Sequence, residues 1–179
     1  NRIGLEDVVL PPWTPMKRSG NTISCWGREY TFGKDGLPVS IKSAGKELLS
    51  RPVQVILSKN GKTVSWTGES VQFEKCTDTH AVVVGKAEAG GKNFNVRTTL
   101  EYDGFMFVEL EPVKNGSLPF DSFTMEIPVQ SDRALYRHLF SVWILNLPGA
   151  VKPGNGIVET SEWKPFAWLG DNYRGHFAW

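Results

Sequence analysis

Phe94-Asn95-Val96-Arg97-Thr98-Thr99-Leu100 is the stretch that decides the fold class. Phe94, Val96, Thr98 and Leu100 recur at every second position, with Asn95, Arg97 and Thr99 between them. Successive side chains of a strand point to opposite faces, so this period of two buries one face and leaves the other to water or to a partner. Turn residues bound the segment, Gly90-Gly91 before it and Asp103-Gly104 after it, which predicts one strand of an antiparallel meander.

The same pattern repeats on both sides of this strand. Asn60-Gly61 separates Val53–Ser58 from Lys62–Trp66 and is the strongest short hairpin signal in the chain, because both residues accept the positive φ of a tight two-residue turn. Thr22–Phe32 reads as extended, and Gly33-Lys34-Asp35-Gly36 turns it back into Leu37–Ser43. Val71–Cys76, His80–Glu88, Phe94–Tyr102, Phe105–Pro112 and Ser122–Val129 continue the series, and Glu162–Leu169 resumes it after the loop-rich Pro148–Gly156. In Asp132–Trp143, by contrast, Leu135, Leu139, Phe140 and Trp143 lie near helical spacing behind Ser131 or Asp132 as a cap, which predicts one short helix. Many short strands with one minor helix predict an all-β fold, an antiparallel sandwich of two packed sheets in a single domain over residues 1–179.

Composition agrees. Eighteen glycines, eleven prolines and 12% aromatic residues suit strands and turns better than helices. Apolar residues at 40% and charged ones at 22% argue against a disordered chain, and no window approaches the roughly 18 continuous apolar residues of a membrane span. Twenty Lys+Arg against 19 Asp+Glu leave a net charge of +1, without the basic footprint that nucleic acid demands. At 179 residues the chain is too short for a (β/α)₈ barrel of about 250. Its opening at Asn1 without an initiator Met or apolar leader, and its apolar close at Gly175-His176-Phe177-Ala178-Trp179, lead to the expectation of a piece from a longer protein.

The sequence offers little for catalysis. Glycoside hydrolysis needs two carboxylates about 5 to 10 Å apart in contrasting environments. Glu6-Asp7 falls in a polar leader, and Glu109 and Glu111 share one strand face of the kind that charges decorate. His80, His138 and His176 are scattered, with no nucleophile elbow and no metal-ligand spacing. Gly154-Asn155-Gly156 lacks the rest of a phosphate-binding pattern, so no cofactor, nucleotide or metal is implied. Cys25 and Cys76 are either two separate thiols or one bridge between strands. Asn115-Gly116-Ser117 fits a glycosylation sequon, which matters only in a secreted eukaryotic context.

Two aromatic segments carry more. In Cys25-Trp26-Gly27-Arg28-Glu29-Tyr30, a continuous strand would put Trp26, Arg28 and Tyr30 on one face and Cys25 and Glu29 on the other. An indole plate beside a guanidinium fork suits a sugar, whose C–H groups stack on the ring while its hydroxyls or a carboxylate meet the fork. The same pattern also suits an arginine stem packed over core aromatics. In Trp163-Lys164-Pro165-Phe166-Ala167-Trp168-Leu169-Gly170-Asp171-Asn172-Tyr173-Arg174, Phe166 and Trp168 share a face. There Asp171 and Arg174 either pair locally, as part of a structural turn, or face a neighbouring domain.

Val8-Val9-Leu10-Pro11-Pro12-Trp13-Thr14-Pro15, then Trp26-Gly27-Arg28-Glu29-Tyr30, then Gly36-Leu37-Pro38 with Gly45-Lys46-Glu47-Leu48-Leu49, and finally Lys164-Pro165-Phe166-Ala167-Trp168-Leu169-Gly170-Asp171, taken in order, resemble the N-terminal domain of glycoside hydrolase family 123 type proteins. The resemblance implies a bacterial, exported, multidomain parent in which a β-sandwich precedes a (β/α)₈ catalytic barrel. It further implies β-N-acetylgalactosaminidase activity assisted by an Asp-Glu pair on that barrel, so the secreted, periplasmic or cell-surface location is expected from the resemblance alone. Glu6-Asp7 is the only neighbouring acidic pair of this chain, and the family's catalytic residues do not carry over to it.

Three readings follow from the sequence. The first is a noncatalytic sandwich whose partner is the downstream catalytic domain of the same chain. The second is an autonomous carbohydrate-binding module whose partners are glycans, with Trp26, Arg28, Tyr30, Trp163, Trp168, Asp171 and Arg174 as residues of a sugar-binding or interdomain surface. The third is a small lyase or isomerase with Tyr136, Arg137 and His138 as base and charge neutraliser.

Overall fold

A computed structural model of the chain describes residues 7–140, 149–151, 166–172 and 175–178, which fall into two compact units, Asn1–Pro128 and Val129–Trp179. The first unit carries β1 (Lys17–Ser19), β2 (Thr22–Cys25), β3 (Arg28–Phe32), β4 (Pro38–Ser43), β5 (Lys46–Glu47), β6 (Gln54–Lys59), β7 (Lys62–Val64), β8 (Trp66–Cys76), β9 (His80–Ala89), β10 (Lys92–Glu101), β11 (Met106–Pro112) and β12 (Ser122–Glu126). These form an antiparallel five-stranded sheet β1-β2-β3-β4-β5, a four-stranded sheet β11-β10-β9-β8 and a three-stranded sheet β12-β6-β7.

The alternation of Phe94–Leu100 holds in β10, where Phe94, Val96, Thr98 and Leu100 are fully buried and Arg97 is exposed. The inner face of the four-stranded sheet serves two core clusters. Ala81, Val83 and Leu100 pack with Met16, Ile23, Cys25, Tyr30 and Phe32, the last four of them from the five-stranded sheet. Ala89, Phe94 and Val96 pack with Leu37, Leu49, Val53, Val55 and Leu57, of which Val55 and Leu57 lie on β6. The result is an all-β sandwich in which the four-stranded layer is closed over by the five-stranded and the three-stranded sheets.

The turn Gly33–Gly36 is pressed onto β9. A Cβ on Gly85 would lie 2.0 Å from the Asp35 carbonyl carbon and 2.2 Å from the Gly36 nitrogen, so only glycine lets the turn approach this closely. Thr98 Oγ1 donates to the Gly36 carbonyl at 3.0 Å, and Trp66 Nε1 donates to Asp35 Oδ2 at 3.1 Å. Trp66 therefore opens β8 instead of extending the Asn60-Gly61 hairpin. Nearby, Glu47 accepts from Ser40 Oγ and from the amides of Ile41, Leu48 and Leu49, which ties β4 to the loop after β5.

Thr22–Phe32 is not one extended strand. Trp26 and Gly27 both take positive φ (42° and 75°), forming a tight two-residue turn that pairs Cys25 with Arg28. The reversal shifts the phase, so Cys25 shares the inner face with Arg28 and Tyr30 instead of opposing them. Both cysteines are free thiols, Cys25 buried and Cys76 exposed, which settles the bridge alternative against a bridge.

The second unit holds a 3₁₀ turn over Ser131–Arg133 and an antiparallel sheet β14-β13-β15-β16, with β13 (Tyr136–Phe140), β14 (Gly149–Ala150), β15 (Phe166–Gly170) and β16 (Gly175–Ala178). The helix expected over Asp132–Trp143 is thus corrected within the described residues to a single 3₁₀ turn and a strand. Pairing of Tyr136–Phe140 with Phe166–Gly170 outweighs the weak helical spacing, since aromatic residues favour strands and tertiary pairing overrides local preference. The remainder of that helix, 141–143, lies outside the described residues. Among the described residues no helix is long and apolar enough to cross a membrane.

Candidate functional site

The tight turn after β2 pushes Trp26 outward. The indole is 43% exposed, although its backbone sits where a bulky residue is disfavoured. Asn60-Gly61 in the same protein makes the equivalent turn with a residue suited to that φ, so Trp26 is held in its conformation by its surroundings. Its amide donates to Thr14 Oγ1 at 2.8 Å. The leader that supplies Thr14 is anchored on the sandwich: the Met16 amide donates to the Asp78 carbonyl at 2.9 Å, and Thr79 Oγ1 donates to Asp7.

That leader delivers Trp13. Its ring centroid lies 5.9 Å from Trp26, tilted by 54°, and 5.9 Å from Tyr102, edge-on at 77°. Offset and edge-on arrangements at this range are the favourable ones for aromatic pairs. Beside them the Arg28 guanidinium stands 5.4 Å from the Trp26 ring, within cation–π range, and donates through Nη1 to the Asp103 carbonyl at 2.5 Å. Asp103 is exposed, and its Oδ1 accepts the Phe105 amide at 2.8 Å, which shapes the β10–β11 turn. Gly104 takes φ +95°; a Cβ there would meet Arg28 Nη1 at 2.7 Å and the Tyr30 hydroxyl at 2.9 Å.

Tyr30 lies beneath this surface, 5% exposed in the core. Burial above all, with the neighbouring Cys25 and Asp103, pushes its hydroxyl well above the usual phenol range against the opposing Arg28, so it is a fixed hydroxyl and no base. Burial likewise raises the Cys25 thiol, with Arg28 opposing and Asp103 adding. The structure therefore brings Trp26 and Arg28 together on the surface, with Tyr30 as their support. It adds Trp13, Thr14, Tyr102, Asp103 and Gly104, which the strand pattern did not single out. The proline-flanked Trp13 was visible as a motif, but its contact with Tyr102 leaves no local signature.

The remaining candidates lie elsewhere. Trp168 is half-buried on β15, in register with His138 and Phe177. Asp171 is buried and accepts from Arg133 Nη1 at 3.0 Å. Trp163 and Arg174 lie outside the described residues. Tyr136, Arg137 and His138 are consecutive on a strand, so Arg137 faces away from the other two, which separates the trio of the lyase reading. Glu109 and Glu111 sit in register with Arg97 and Asn95 on the outer face, where Arg97 pairs with Glu74 at 2.7 Å. Among the described residues, no group of three or more His, Cys, Asp or Glu is placed to hold a metal ion.

No curated protein and no solved structure matches the chain. A family model described as glycoside hydrolase 123, third domain, matches residues 16–174; that description is of a third domain, where the resemblance implied an N-terminal one. With most of its length matched, from β1 to the segment just before β16, the chain belongs to the glycoside hydrolase 123 third-domain family.

Proposed function

We propose that the chain is a noncatalytic β-sandwich domain that packs against and supports the (β/α)₈ catalytic barrel of a glycoside hydrolase family 123 parent, an exported β-N-acetylgalactosaminidase. The family match over residues 16–174 carries this reading. The order of the two domains is not part of it, since the family model describes a third domain. Two carboxylates, Glu47 and Glu126, fit it as well. A glycosidase's general acid is held above its ordinary range, whereas Glu47 and Glu126 are held below theirs. For Glu47, burial pushes upward but is outweighed by the donors Ser40, Leu49, Ile41 and Leu48; for Glu126, Arg51 and then Gln54 donate to it. Both are occupied in holding strands together. The test is to incubate purified chain with aryl β-N-acetylgalactosaminide, galactoside and glucosaminide substrates. No turnover above buffer is expected, and robust hydrolysis of any of them would overturn the assignment.

A second reading, a carbohydrate-binding surface at Trp26 and Arg28, is favoured by one observation: the Trp26 indole is exposed beside a guanidinium. Calorimetric titration with galactosaminyl glycans is expected to give millimolar or tighter binding that is lost in Trp26→Ala. Equal binding by the wild-type chain and Trp26→Ala would refute it.

A further inference from the structure

The geometry points to a ligand class for the surface around Trp26: we propose that it is a composite platform for a neutral pyranose with adjacent hydroxyls, and that Trp13 from the leader is part of it. This rests on the carbohydrate-binding reading above. Trp13 and Trp26 are tilted against each other at 5.9 Å, with Tyr102 edge-on behind Trp13. The exposed Trp26 indole and the half-buried Trp13 beside it offer an apolar surface of the kind on which the C–H side of a sugar stacks. The polar rim supplies both halves of diol recognition. Arg28 has five N–H donors, and its Nη1 contact with the Asp103 carbonyl fixes the fork's orientation while leaving donors over. Asp103 has two acceptor oxygens, and the Phe105 amide contact is made to Oδ1.

Charge selects within sugars. The Arg28 cation beside the Trp26 ring bonds the main-chain carbonyl of Asp103, a residue that itself carries an exposed carboxylate, and the chain as a whole carries only +1. What a uronate or sulfate gains from Arg28 it loses against the neighbouring Asp103 carboxylate, whereas a hydroxyl pair donates to Asp103 and accepts from Arg28 and so gains from both. Trp26 is kept in a conformation that Asn60 adopts more readily in the equivalent turn, and Thr14 and Arg28 hold it there.

The test compares two ligands that differ only at C6, methyl β-galactopyranoside and its C6-oxidised uronate, by calorimetry on the full 179-residue chain. Millimolar binding of the galactoside is expected, with the uronate at least about tenfold weaker, and Asp103→Asn is expected to narrow that gap. Trp13→Ala, its melting temperature checked against wild type, is expected to weaken the galactoside by about tenfold. A uronate that binds as tightly as the galactoside overturns the neutral-sugar proposal and leaves the sugar-binding reading standing. Unchanged affinity in Trp13→Ala removes the leader from the site and overturns the composite platform. If neither sugar binds at tens of millimolar, the sugar-binding reading itself fails, and protection of Trp26 in the complete parent protein would then assign the surface to interdomain packing.

Discussion

Replacing Gly85 with alanine tests how the sandwich is closed. The new Cβ would sit 2.0 to 2.2 Å from backbone atoms of Asp35 and Gly36, and backbone cannot swing aside as a side chain can. To reach ordinary contact the turn must retreat by about 1.5 Å. That retreat breaks the Thr98–Gly36 bond of 3.0 Å and the Trp66–Asp35 bond of 3.1 Å. Each contributes about 1 kcal/mol, and leaving the buried Thr98 hydroxyl unpaired adds about 1 to 3 kcal/mol. Alanine returns about 0.5 to 1 kcal/mol by restricting the unfolded chain. The expected net loss is about 3 kcal/mol, or a melting temperature lower by roughly 6 to 12 °C. Urea unfolding followed by far-ultraviolet circular dichroism measures it. A loss under about 1 kcal/mol with an unchanged denaturant slope would refute the close approach of turn and strand.

The thiols should differ in reactivity: iodoacetamide on the native chain is expected to alkylate Cys76 rapidly and Cys25 only after denaturation, because burial shields Cys25 and keeps it protonated. One fast adduct by mass spectrometry confirms this, and two would contradict it. Glu47→Gln is expected to destabilise by about 2 kcal/mol at pH 7, since a charged acceptor is lost from four donors. Because the folded-state pKa of Glu47 is lowered, its contribution is fully present above the unfolded value near 4.5 and is lost as pH falls through the folded one. The gap between wild type and variant should therefore close in acid, and a gap independent of pH would contradict this origin. Gly104→Ala should displace Arg28 from Asp103, since its Cβ would sit 2.7 Å from Arg28 Nη1 at a φ of +95°. A shift in tryptophan fluorescence with far-ultraviolet dichroism unchanged is expected, and wild-type fluorescence would count against it.

The alternation of Phe94–Leu100 and the Asn60-Gly61 turn were legible because strand and tight-turn chemistry are local: a period of two and a tolerance for positive φ belong to the residues themselves. The same local reading misled at Trp26. A tryptophan at positive φ is rare enough that Thr22–Phe32 looked continuous, and the true turn moved Cys25 to the other face. It misled again at Tyr136–Phe140, where pairing with a segment thirty residues away outweighs helical spacing.

The order of residues was enough to settle the all-β class, most strand positions and the family resemblance at its coarse level. Only the tertiary structure decided that one layer is closed by two sheets, that Gly85 admits the Asp35–Gly36 turn, and that Trp13 and Asp103 complete the surface around Trp26. The physical reason is range. Propensity and periodicity act over a few residues, while a contact such as Arg28 to Asp103 joins positions far apart in the chain, and its energy exists only once the sheets that carry them have paired.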